Sequence, residues 1–126
     1  MQSFLLVGAG GALGAMGRHG VSILAGRMWG TAFPVGTLLI NIVGSLAMGV
    51  LVGVLARAVP AWQEPARLFV AIGMLGGFTT FSAFSLDAIG LVERGEHALA
   101  GVYVIASVLG AVLGLYVGLL LTRGPT

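Results

Sequence analysis

Four stretches of this chain, residues 3–25, 28–56, 68–86 and 98–122, hold no charged side chain except Arg18, with His19 beside it. Each is long enough to cross the hydrocarbon core of a bilayer as a helix, which takes roughly 17–25 apolar residues. Only 8% of the 126 residues are charged and 58% are hydrophobic, whereas a soluble domain carries about 25% charged residues. The mean hydropathy is +1.08. The expected fold is an all-α integral membrane protein, one domain over 1–126 with helices at about 3–25, 33–57, 66–93 and 98–122. Four spans leave almost nothing for an extramembrane domain. A soluble substrate would have no catalytic site to enter, so no enzyme is expected.

Other classes fall away on small observations. The first helix lacks a basic region before Phe4, and Arg18 sits where the apolar core or cleavage region of a signal peptide belongs. With no cysteine, disulfides and thiolate metal sites are excluded. His19 and His97 fall on different helices without ligand spacing. The pI of about 10.0 reflects a net charge of only +2 and no lysine, not the clustered basic face that nucleic acids require.

Charge placement bears on orientation. Arg57, Arg67 and Arg123 fall on one side of a four-span bundle, Arg27 and Arg94 on the other, with Arg18 near the second group. Orientation follows a Lys/Arg imbalance between the two sides, and here the imbalance is close to nothing. One reading is that a small bias suffices. The other is dual insertion, in which two oppositely oriented copies form an antiparallel dimer, an intermolecular version of the inverted repeats of many transporters.

Most glycines read as packing. Gly10 and Gly14, Gly49 and Gly53, and Gly110, Gly114 and Gly118 recur every four residues, the small-residue spacing that lets helices approach closely in lipid. The connections read as solvated ends. Gly26 to Gly30 carries Arg27 and Trp29; the turn from Pro60 to Pro65 carries the interfacial Trp62; the last loop places Glu93 and Glu96 near a helix start.

The polar residues within the spans are fewer and more informative. In G-M-L-G-G-F-T-T-F-S-A-F-S, from Gly73 to Ser85, a glycine pair and a threonine pair interrupt the third apolar run. Two glycines weaken a helix by roughly 1 kcal/mol each, and a break within a membrane is tolerated only where its backbone is buried in protein or binds something. Thr37, Asn41 and Ser45 share one face of the second helix. Asn41 is either an interhelical brace or a donor facing a pore. Phe81 and Phe84 point roughly the same way, either as packing or as ring edges along an anion path. Asp87 is the one acid well away from a loop.

Three motifs together, G-A-M-G-R-H from Gly14 to His19, G-T-L-L-I-N-I-V-G-S from Gly36 to Ser45, and G-G-F-T-T-F-S-A-F-S from Gly76, resemble the Fluc/CrcB family of fluoride channels along the whole chain. The resemblance implies a dual-topology antiparallel homodimer in the bacterial inner membrane, with the third helix broken mid-membrane. It implies two antiparallel pores that release cytoplasmic fluoride passively and relieve its toxicity. By similarity, Gly76 and Thr79 would offer backbone carbonyls to a structural sodium ion at the dimer centre. Phe81, Phe84 and Asn41 would face the anion, with Thr80, Ser82, Tyr103 and Ser107 along or near its path. Arg18 would either attract anions toward a vestibule or stabilise the fold. Ala83 and Ala111 stand where relatives are expected to carry hydroxyls, which thins the row of donors. The rival is a small proton-coupled multidrug exporter of dual topology, whose chemistry needs a deep carboxylate. Only the off-centre Asp87 is available for that. A non-transporting membrane scaffold would account for the glycine stripes but not for Asn41 or the T-T-F-S segment.

Overall fold

The computed structural model describes residues 1–57 and 63–123, and every regular element in them is helical. The expected turn with Trp62 lies outside the described residues. Helix α1 is Gln2–Trp29 and α2 is Val35–Arg57. The next helix, α3, joins three contiguous pieces: Gln63–Ala66, a π-helical Arg67–Leu75, and Gly76–Phe78. After a two-residue interruption come α4, Phe81–Glu93, and α5, His97–Arg123. Gly30, at φ 74°, ends α1, and Gly95, at φ 79°, turns the chain into α5. Both conformations disfavour any residue with a Cβ.

Three helical stretches are long and apolar enough to cross a membrane: Val35–Arg57, Glu64–Glu93 and His97–Thr122. The 28-residue α1 is longer than two of them but less apolar, because it carries Arg18, His19 and Arg27 among its glycines. Few large side chains are buried. Ile40, Leu91 and Tyr103 are the largest fully enclosed, while leucines and valines along α5 point outward. That distribution suits a chain whose solvent is hydrocarbon.

The glycine stripes are where backbones meet. Helix α2 lies along α5, and a Cβ on Gly118 would sit 2.7 Å from the Val50 nitrogen. Helix α1 lies along α3, where a Cβ on Gly14 would run into the Met74 carbonyl and one on Gly77 would lie 2.6 Å from the Gly11 carbonyl. The close α1–α3 seam forms next to the π-helical turns, where Gly73 packs onto Gly10. A separate apolar cluster of Phe84, Leu91, Ala100 and Tyr103, with Phe33 and Leu38 against it, ties α4 to α5 and α2. These two seams fix both sides of the interrupted helix.

Candidate functional site at the helix break

Helix α3 stops at Phe78. Thr79 (φ −76°, ψ 157°) and Thr80 (φ −151°, ψ 124°) are extended, and α4 begins at Phe81. The two threonines finish the two helices. The Thr79 hydroxyl donates to the Leu75 carbonyl at 3.0 Å, and the Thr80 hydroxyl accepts from the Ala83 amide at 3.1 Å as an N-cap. The interruption is thus written locally, in residue types that favour caps over helix interiors.

Asn41 holds the break from the neighbouring helix. Its Oδ1 accepts from the Thr80 amide at 2.8 Å, and its Nδ2 donates to the Thr80 carbonyl at 3.0 Å. In an unbroken helix the Thr80 amide would bond to the Gly76 carbonyl. Here it is diverted, which releases the Gly76 carbonyl from the ladder, and the Thr79 carbonyl stands outside both helices. The neighbouring Gly77 carbonyl accepts from Arg18 Nε at 3.2 Å. Asn41 is therefore a brace, and an amide NH2 has two hydrogens. Its second N–H has no protein partner among the described residues.

A groove of about 320 Å³ opens beside the break. Asn41, Thr80, Phe81, Phe84 and Ser107 all line it, together with Thr79. Phe81 is 77% exposed and Phe84 only 9%, and the ring centroids are 5.4 Å apart at a tilt of 47°. The Ser107 hydroxyl is buried, with 5% of the residue exposed, and has no hydrogen-bond partner among the described residues. Such an orphan costs about 1–3 kcal/mol unless something polar meets it. The groove also faces the N-terminus of the 13-residue α4, whose dipole favours negative charge. Donors without protein partners among the described residues and a helix N-terminus both favour an anion.

Tyr103, Ser82, Arg18, Gly76 and Ala83 lie around the groove, not in its lining. Tyr103 is fully buried behind Phe84, with ring centroids 5.3 Å apart, and its hydroxyl donates to Asp87 Oδ2 at 3.3 Å. The exposed Ser82 hydroxyl is 3.4 Å from that of Thr80. Arg18 reaches from α1 to the end of α3, where Gly76 lies, and both are outside the lining. Ala111 contributes a methyl to the groove, and Ala83 sits in the first turn of α4. No group of three or more His, Cys, Asp or Glu side chains suited to a metal occurs among the described residues. Ser45, which the sequence reading placed on the Asn41 face of the second helix but not on the anion path, also lines the groove. Its position one helical turn from Asn41 was the available signal.

The fold and the braced break define a multi-pass helical membrane protein with an anion-favouring groove. The chain belongs to the CrcB family: the family described as "CrcB-like protein, Camphor Resistance (CrcB)" matches residues 5–119. It is 55% identical over 125 residues to "Fluoride-specific ion channel FluC 2" of Nitrobacter hamburgensis, covering 99% of this chain and 100% of that one. It is 56% identical over 123 residues, 98% of each chain, to "Fluoride-specific ion channel FluC" of Chelativorans sp.. The protein of that name from Rhodopseudomonas palustris is 52% identical over 125 residues, 99% of this chain and 100% of its own.

Proposed function

We propose that this chain is a fluoride-selective, passive ion channel that releases fluoride from the cytoplasm across the bacterial inner membrane. Relatives matched over 98–100% of their length are named fluoride-specific ion channels. The observation in this molecule that carries the reading is the groove at the break, where the second Asn41 N–H and the Ser107 hydroxyl, without partners among the described residues, stand beside Phe81 and Phe84.

Hydrogen fluoride crosses membranes as a neutral acid and ionises in a near-neutral cell, where the anion is trapped. An interior-negative potential drives an anion outward with about 2.3 kcal/mol per charge per 100 mV. No nucleotide site and no protonatable carrier is required. A small, strongly hydrated ion gives up water only to donors fixed at close quarters, which the braced break supplies. The multidrug-exporter reading lacks its essential carboxylate: Asp87 lies outside the groove and holds the Tyr103 hydroxyl.

The functional unit in this reading is an antiparallel homodimer of dual topology, supported by the near-even distribution of arginines. A sodium ion at the two-fold axis fits the released Gly76 carbonyl and the non-helical Thr79 carbonyl. Oxygen donors at the negative end of α3 suit a hard cation. Two chains would bring four such oxygens together. The ion would join the subunits and offset the charge of a passing anion.

Proteoliposomes decide between the readings. Vesicles loaded with fluoride should release it through the protein, detected by electrode, while chloride stays inside. Drug-driven proton release would favour the exporter, and no flux of any kind the scaffold.

A further inference from the structure

Ser45 lines the groove with no hydrogen-bond partner among the described residues. Three other hydroxyls on these helices, those of Thr79, Ser85 and Thr122, donate to the carbonyl four residues earlier, at 3.0, 3.1 and 2.9 Å. This back-bonding is the usual way a hydroxyl in an apolar helix is satisfied. Ser45 makes no such bond, and no other hydrogen bond to it occurs among the described residues. It is half-buried, one turn along α2 from Asn41, and lines the same groove as the orphaned Ser107 hydroxyl of α5. Beside it the groove wall is Ala111 and Val112, which offer no donor.

We propose that Ser45 is a third anion donor, forming with the free Asn41 N–H and the Ser107 hydroxyl a subsite for a small dehydrated anion in the groove that Phe81 and Phe84 also line. This rests on the reading of the chain as a fluoride channel and adds a residue to it. Two hydroxyls and an amide N–H on facing helices meet an ion from different directions, as replacing a water shell requires. Bonds to a charged partner are also roughly twice as strong as neutral ones. Ser45 supplies a hydroxyl to the groove from α2, where α5 offers the methyl of Ala111.

The test compares wild type, Ser45→Ala and Ser45→Ala/Ala111→Ser in proteoliposomes, reading fluoride efflux, chloride leak and thermal unfolding in detergent. Losing one donor to a charged ion should slow fluoride efflux roughly tenfold, with chloride leak and unfolding temperature unchanged. The double variant, which returns a hydroxyl to the groove from α5, should recover much of that loss. Ser45→Ala conducting like wild type would overturn the proposal. So would a loss of flux accompanied by a lower unfolding temperature, which would mark Ser45 as structural, or a double variant no faster than the single one. A silent wild type would instead refute the channel reading itself, so the two failures are distinct.

Discussion

Replacing Asn41 with alanine removes the clamp on the break. Two hydrogen bonds, 2.8 and 3.0 Å long, disappear together, leaving the amide and the carbonyl of Thr80 without the partner that holds them. An unsatisfied buried group costs about 1–3 kcal/mol. Both Thr80 groups are only partly buried, so the lower part of that range applies to each. The sum is a destabilisation of about 2–3 kcal/mol. Unfolding of detergent-solubilised protein, followed by circular dichroism against denaturant, measures it. Asn41→Asp separates brace from pathway. Its carboxylate still accepts from the Thr80 amide but cannot donate to the Thr80 carbonyl, and it puts negative charge into the groove. Fluoride efflux should therefore fall further in Asn41→Asp than in Asn41→Ala, although the aspartate keeps the bond from the Thr80 amide and alanine loses both. An alanine variant within about 0.5 kcal/mol of wild type, the range of a surface change, would refute the brace.

The remaining expectations are smaller in scope. Phe81→Ile should leave stability within about 0.5 kcal/mol of wild type, because the ring is mostly exposed, yet cut fluoride efflux at least severalfold; unchanged efflux would remove the ring from the pathway. Phe84→Ile, in the packed cluster with Tyr103, should lose flux and up to about 1.5 kcal/mol of stability. Gly14→Ala forces a methyl against the Met74 carbonyl and 2.8 Å from the Phe78 nitrogen, which should cost about 1–3 kcal/mol in the same unfolding assay. Gly8→Ala, with nothing within 4 Å of the added carbon, should be neutral or better. Exchanging sodium for caesium during purification should shift the dimer toward monomer in size-exclusion chromatography; an unaltered dimer would count against a sodium ion at the axis.

How far the sequence revealed this site depended on the range of each interaction. The interruption was legible in part: the threonines that cap the two helices mark it at Thr79 and Thr80, whereas the glycine pair Gly76–Gly77 stays helical, and Gly77 instead lets α3 approach α1. The glycine stripes were legible through their spacing, and Gly118 against α2 and Gly14 against α3 carry it out. Asn41 was legible only as an alternative, since its partner Thr80 is 39 residues away and nothing in the local sequence names it. The same holds for Arg18, whose bond to the Gly77 carbonyl spans 59 residues, and for Tyr103, which supports Phe84 from behind instead of lining the groove. The π-helical turns from Arg67 left no composition signal, because they depend on how α3 meets α1. Ser45 went unselected because an unsatisfied hydroxyl and a back-bonded one look identical in sequence.

The central claim is that one anion, fluoride, moves passively through this protein while chloride is refused. A reversal potential measured in a planar bilayer, with a fluoride gradient and symmetrical chloride, tests it most directly. The account predicts a current that reverses near the fluoride equilibrium potential, about 59 mV for each tenfold gradient of a singly charged ion. A reversal potential near zero, set by chloride, or a membrane that stays silent with folded protein present, would contradict it.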